Sequence, residues 1–120
     1  MDITAMQSAI SGLRAHSAKA AVAANNIANV NTDGFKASQA VIESGDAGSP
    51  EVTVSQSSSD GPIVPETGGL RGGNQYRELS NVDLADEFVQ MKLAEHGYRA
   101  NASIIRAQDE MIGTILDILV

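Results

Sequence analysis

Between Leu84 and Leu119 one spacing governs this chain: Leu84, Phe88, Met91, Glu95, Tyr98, Ala102, Ile105, Asp109, Ile112, Leu116 and Leu119 follow each other at alternating steps of four and three. Ten successive steps keep that alternation, which is the seam spacing of helices that pack along their length. A second seam runs near the other end, through Ile3, Met6, Ile10, Leu13, Ser17, Ala20, Ala24 and Ile27. At 1.5 Å per residue these helices would be about 40 Å and 55 Å long. A 120-residue chain carrying both at its ends cannot close into an ordinary compact globule. The expected fold is mainly α: long N- and C-terminal helices paired as a coiled coil and joined by a short β or loop excursion. The boundaries place the N-terminal helix in 1–32, an extended middle in 33–79 and the C-terminal helix in 80–120, as one elongated domain.

The two helices differ in character. Alanines at 15, 18, 20, 21, 23 and 24 give the first high helix propensity and little burial per residue. Small seam residues admit close approach and cannot hold a lone helix. The second opens on Ser80-Asn-Val-Asp83, which reads as a capping box with Asp83 in place of the usual Glu. Asp83, Asp86 and Glu87 put negative charge where the helix dipole favours it. Glu95 and Asp109 sit at seam positions, where a polar residue either reaches the rim or fixes register. Gly97 and Gly113 within this helix mark close approach or a bend. Past Met111 the apolar face widens to Ile115, Ile118 and Val120, an expected contact for a further partner.

Most of the glycines and all three prolines fall between the helices. Phe35–Glu43 and Glu51–Gln56 have strand character, whereas Asp60-Gly-Pro62 and Pro65-Glu-Thr-Gly-Gly69 are turn chemistry. Arg71-Gly-Gly73 is expected to be mobile.

Composition and motif spacing exclude several classes. Two Phe, two Tyr and no Trp leave little for a conventional core. Hence the isolated chain is expected to be only partly folded. A formal net charge of −7 argues against nucleic acid and against anionic membrane surfaces. No stretch reaches the roughly 18 apolar residues of a membrane span, and Met1-Asp-Ile-Thr4 lacks the basic start of a cleaved signal peptide. The absence of cysteine rules out disulfides and thiolate metal sites. His16 and His96 have no second ligand at metal spacing, so surface or interface placement is expected for both. Gly68-Gly-Leu-Arg-Gly-Gly73 lacks the strand, helix and lysine of a phosphate loop. Asp86-Glu87 and Asp109-Glu110 are neighbours that point to different helix faces. Asn101-Ala-Ser103 is a glycosylation sequon lying mid-helix. No catalytic, cofactor-binding or metal-binding residues emerge, and an enzyme is not expected.

The remaining feature is a cluster of amides. Asn25, Asn26, Asn29 and Asn31 crowd the end of the first helix, and Asp33-Gly34 follows. Asparagine is poor inside helices because its amide competes for the backbone, and it suits helix ends. A helix end needs one such residue, with Gly34 able to take the positive φ of a cap. Four point to amides bonding across a packing boundary.

This segment, Ala24-Asn-Asn-Ile-Ala-Asn-Val-Asn-Thr-Asp-Gly-Phe-Lys36, preceded by Ser11-Gly-Leu-Arg-Ala15, resembles the N-terminal signature of the bacterial flagellar axial proteins, the rod, hook and hook-associated subunits. Ser80-Asn-Val-Asp-Leu-Ala-Asp-Glu-Phe-Val-Gln-Met91, Tyr98-Arg-Ala-Asn101 and Asp109-Glu-Met-Ile112 resemble the same family at the C-terminal side. The resemblance implies a structural subunit of the basal-body rod whose terminal helices pair and polymerise into a tube. Its partners would be other copies, other rod subunits and the flagellar type III export apparatus. Export without a cleaved signal would bring it to the periplasmic rod. The short middle resembles a proximal-rod subunit, whereas Thr32-Asp-Gly-Phe35 is closer to distal-rod and hook versions. The expected interface comprises Asn25, Asn26, Ile27, Asn29, Asn31, Gly34, Phe35, Ser80, Asn81, Asp83, Phe88, Met91, Tyr98, Ile105, Ile112 and Leu116, with Leu13 and Ala20 in the helix seam. The alternatives are a soluble coiled-coil adaptor, which leaves the asparagines unexplained, and a non-structural type III secretion cargo.

Overall fold

A computed structural model describes residues 3–45, 48–66 and 75–119. The expected mobile run 71–73, the glycine-rich 68–73 and Val120 lie outside the described residues. Two helices carry the chain, α1 (Ile3–Ala28) and α2 (Leu84–Leu119). Between them come β1 (Ser38–Ser44), β2 (Pro50–Gln56), β3 (Ile63–Glu66) and β4 (Gln75–Glu78). The strands form two separate antiparallel hairpins, β1 with β2 and β3 with β4. The molecule extends 85 × 24 × 18 Å, with a radius of gyration of 21.7 Å. A compact chain of this length has about 14 Å.

The helices are antiparallel. Gly12 faces Asn101, His16 faces Gly97, and Asn26 bonds to Glu87, so one numbering rises as the other falls. The contact is made by small residues: Ala9, Gly12, Ala15 and Ala23 on α1 are buried, as is Ala94 on α2. This corrects the expected seam in part: Met6, Leu13, Ala20, Ile27, Met91, Ile105 and Ile112 are half-buried. Ser17, Ala24, Ala102 and Asp109 are exposed, and Ile10, Phe88, Tyr98 and Leu116 keep 39%, 52%, 46% and 58% of their surface. The physical reason is helix separation. Alanine and glycine let the backbones approach, which bulky seam residues would prevent. The interhelical stripe is therefore rotated toward the alanines, leaving the bulky seam residues half-buried at its edge or exposed.

Gly97 does mark close approach, because the His16 ring packs directly on it. Gly113 does not, since among the described residues nothing beyond its own helix backbone lies within 4 Å of a Cβ placed there. Continuing the register puts Ile3 opposite Glu110, so Met111 to Leu119 overhang the pair with no α1 beside them. Glu95 reaches the rim, where it pairs with Lys92 at 3.0 Å and Arg99 at 2.7 Å. Hydrogen bonding from Lys92, with the charge of Arg99, holds its carboxyl below the ordinary glutamate range.

The N-terminus of α2 is capped by Asp83, whose carboxylate accepts from the Ala85 and Asp86 N–H groups at 2.9 and 3.3 Å. The expected Ser80 cap is displaced by three residues. Ser80 is instead buried, its hydroxyl accepting from Val82 N–H in a local turn. At the other junction α1 stops at Ala28, and Gly34 (φ 67°) serves a later turn closed by Phe35 N–H to Thr32 O, not the helix cap itself.

The β1–β2 hairpin lies against α1. Alternation turns Ala40 and Ile42 inward, opposite Val54 and Val52. The second hairpin corrects the reading of 60–69 as turns alone: Pro65 is a strand residue paired with Tyr76. A proline is tolerated there because a two-stranded ribbon leaves one edge unbonded.

Candidate functional site

Where both helices meet the hairpins, three polar side chains fasten the chain to itself. Asn26 is fully buried. Its Nδ2 donates to Ser38 O at 2.6 Å and to Glu87 Oε1 at 2.8 Å, while its Oδ1 accepts from Ser38 N–H at 2.9 Å. The amide thus pairs with a backbone as another strand would, using both donors and its acceptor. Asn81 does the parallel job from the C-terminal side. It accepts from Ala37 N–H at 2.6 Å and donates to Ser59 O at 2.9 Å. Asn81 N–H also reaches Phe35 O, and Gly34 N–H reaches Glu78 O, so the exit from α1 and the entry to α2 run side by side.

Lys36 and Glu78 form the third fastening. The ammonium bonds Glu78, Asp60 at 3.3 Å and the carbonyl of Ser59 at 2.8 Å, and Glu78 also accepts from Gly61 N–H at 2.7 Å. The Glu78 hydrogen bond, with Asp60 adding to it, raises the Lys36 pKa. The Lys36 ammonium, helped by the Gly61 N–H, holds Glu78 below its usual 4.5. Beside this junction lies a cleft of about 350 Å³ between Lys19, Val22, Ser38 and Glu87.

The expected amides divide. Asn26 is the buried member, and Asn29 stays local, donating to Asn25 O at 2.9 Å and accepting from the Thr32 hydroxyl. Asn25 and Asn31 are exposed. Ile27, Phe35, Met91, Ile105 and Ile112 are half-buried along the helix pair and junction. Sequence reasoning missed Lys36, Ser38, Glu78 and Glu87. Lys36 lay at the end of the asparagine motif, and its only signal was that it is the one basic residue there. Of the two histidines, His16 lies between the helices and His96 is exposed.

The outward faces carry the large apolar residues. Leu84, Phe88, Val89, Leu93 and Tyr98 keep 40–56% of their surface, and Met111, Ile115, Leu116 and Ile118 on the overhang keep 47–78%. Among the described residues no group of acids and histidines is arranged to hold a metal, and no helix is long and apolar enough to cross a membrane.

Both halves of this architecture match known families. Residues 6–36 match the flagella basal body rod protein family, and residues 74–118 match the flagellar basal body rod FlgEFG protein C-terminal family. Flagellar basal-body rod protein FlgG of Caulobacter vibrioides is 38% identical over 100 residues, covering 78% of this chain and 38% of that protein. FlgG of Bacillus subtilis is 40% identical over 52 residues, covering 43% and 19%. The flagellar hook protein FlgE of Treponema pallidum is 35% identical over 72 residues, covering 57% and 16%. The chain therefore spans well under half the length of these relatives. With one matched segment on α1 and its exit, and the other on β4 and α2, the chain belongs to the flagellar basal-body rod and hook protein family.

Proposed function

We propose that this chain is a structural subunit of the flagellar basal-body rod, polymerising through its two helices and performing no catalysis. The observation that carries the reading is the inversion of burial. Among the described residues the buried hydrophobic ones are Ala9, Ala15, Ala23, Ala40 and Ala94, while Phe88, Val89, Leu93 and Tyr98 are exposed. Large apolar side chains exposed in this number along one helix mark an interaction surface. Each buried methyl stabilises by about 0.8 kcal/mol, against a backbone ordering cost of about 1–2 kcal/mol per residue. Neighbouring copies therefore complete the fold, with the exposed Ile10, Leu84, Phe88 and Tyr98 packing between subunits in coiled-coil fashion. The junction at Asn26, Lys36 and Asn81 sets how each subunit turns from helix to hairpin.

The chain resides in the basal body, in the periplasmic rod, beside other rod subunits, and reaches it through the flagellar type III apparatus. The β region is short for an outer shell, which favours a proximal position along the rod. Gold labelling of an epitope-tagged chain in purified basal bodies tests this. Label on the rod, with rods missing from a deletion strain, is the expected result. Intact rods in the deletion strain and label confined to the soluble fraction would overturn it.

A further inference from the structure

Charge is segregated between α1 and the last turns of α2. Within Ile3–Ala28 the charged residues are Arg14 and Lys19, with no acid; from Ala107 to Leu119 they are Asp109, Glu110 and Asp117, with no base. Each stretch carries unfilled apolar surface of matching form. On the overhang, Ile104, Met111, Ile115 and Ile118 make one exposed stripe, flanked by Glu110 and Thr114. On the helix pair, Leu13, Arg14, Ser17, Ala18, Ala21 and Tyr98 line a shallow groove floored by small side chains.

We propose that the overhanging end of α2 in one copy lies in the Leu13–Ala21 groove of a second copy, Glu110 meeting Arg14 and Ile115 covering Ala18. This rests on the rod-subunit reading and names the contact. The occupant is a second copy because complementarity is internal to the chain: among the described residues, nothing covers the acidic apolar end or the basic apolar groove within its own molecule. Within one chain the groove cannot receive its own overhang. Ala18 lies level with Glu95, and Ile115 is 20 residues further along α2, about 30 Å away. Donor and acceptor surfaces differ, so the contact is heterologous and repeats without closing unless the rotation brings it back to the start.

The chain has no cysteine, so introduced thiols report alone. Full-length Ala18→Cys and Ile115→Cys variants are mixed, polymerised and oxidised. A disulfide needs Cα atoms about 5.5–6 Å apart, so a covalent pair is expected only in the mixture, and a chain carrying both substitutions should give a ladder. Arg14→Glu or Glu110→Arg alone should raise the polymerisation threshold several-fold, and the two together should restore it. Cross-linking of each variant only with itself, a doubly substituted chain that stops at dimer, or capture of a different rod protein by Ile115→Cys in cells overturns the contact. Polymers that form without the cross-link remove this contact and leave the rod reading standing. A wild-type chain that stays monomeric at every concentration, alone and with other rod subunits, removes both.

Discussion

The imidazole of His16 occupies the space that a Cβ on Gly97 would need. Its Nδ1 is buried there without a hydrogen-bond partner, a cost accepted for backbone proximity. Gly12 repeats the device in reverse, the Asn101 amide lying 2.7–2.8 Å from where its Cβ would stand. Helix against helix, each glycine receives a polar side chain from the other.

Gly97→Ala should therefore lower the unfolding midpoint. Alanine gains about 1 kcal/mol in helix propensity, but overpacking a tight contact costs about 1–3 kcal/mol. With His16→Ala present the sign should reverse, and Gly97→Ala should stabilise by about 1 kcal/mol. Gly113→Ala, with open space around it, should stabilise in either background. Thermal unfolding followed by the helical signal reads all four chains, and equal effects at 97 and 113 would contradict the packing.

Asn26 and Asn29 should separate cleanly. Asn26→Ala leaves the part-buried Ser38 backbone without its partners, at about 1–3 kcal/mol. Asn26→Asp should be worse, since a carboxylate would face the Ser38 carbonyl and Glu87. Asn29→Ala loses only local bonds just past the end of α1, so it should be close to neutral. Urea unfolding of the three variants checks the order. A large loss at Asn29, with Asn26→Ala unaffected, would contradict it.

The Lys36–Glu78 fastening sets a pH window. Glu78 is held below 4.5, so its contribution is complete above that value and is lost as pH falls through the lowered one. Lys36 is raised above 10.5, so its contribution is complete below that value and is lost as pH rises through the raised one. Between the two limits this pair should give a flat unfolding profile. Glu78→Gln should lower the plateau and flatten the acid limb, and an unchanged acid limb would show that other groups govern it.

How much of this was legible beforehand follows from which residues speak locally. The two helices announced themselves because spacing and alanine content are read within a few turns. β2 followed from alternation around Val52 and Val54, and β1 from the strand character of Phe35–Glu43. The direction of the seams was not legible. Phe88 and Ile10 sit at seam positions by every local rule, and only the choice of alanine for the interior turns them outward. The β3–β4 hairpin was hidden by Pro65, whose turn chemistry is overridden by pairing with Tyr76. At the junction the asparagine cluster flagged the place, but the role of Asn26 depends on Ser38 and Glu87, and Glu87 is far from it in sequence.

An alanine interior also implies that order depends on neighbours. Amide exchange in dilute monomer should be fast along both helices, and protection should appear on polymerisation. Slow exchange in the monomer would show that the alanine contacts suffice alone.

Phe88 offers the most direct test of the central claim, because it keeps 52% of its surface in the isolated subunit and should lose it between subunits. Wild-type and Phe88→Asp chains are compared by helical signal as dilute monomers, then by sedimentation and electron microscopy as concentration rises. The account predicts matching monomer helicity, with polymers from the wild type and none from the variant. Polymers from Phe88→Asp at the wild-type threshold would contradict it.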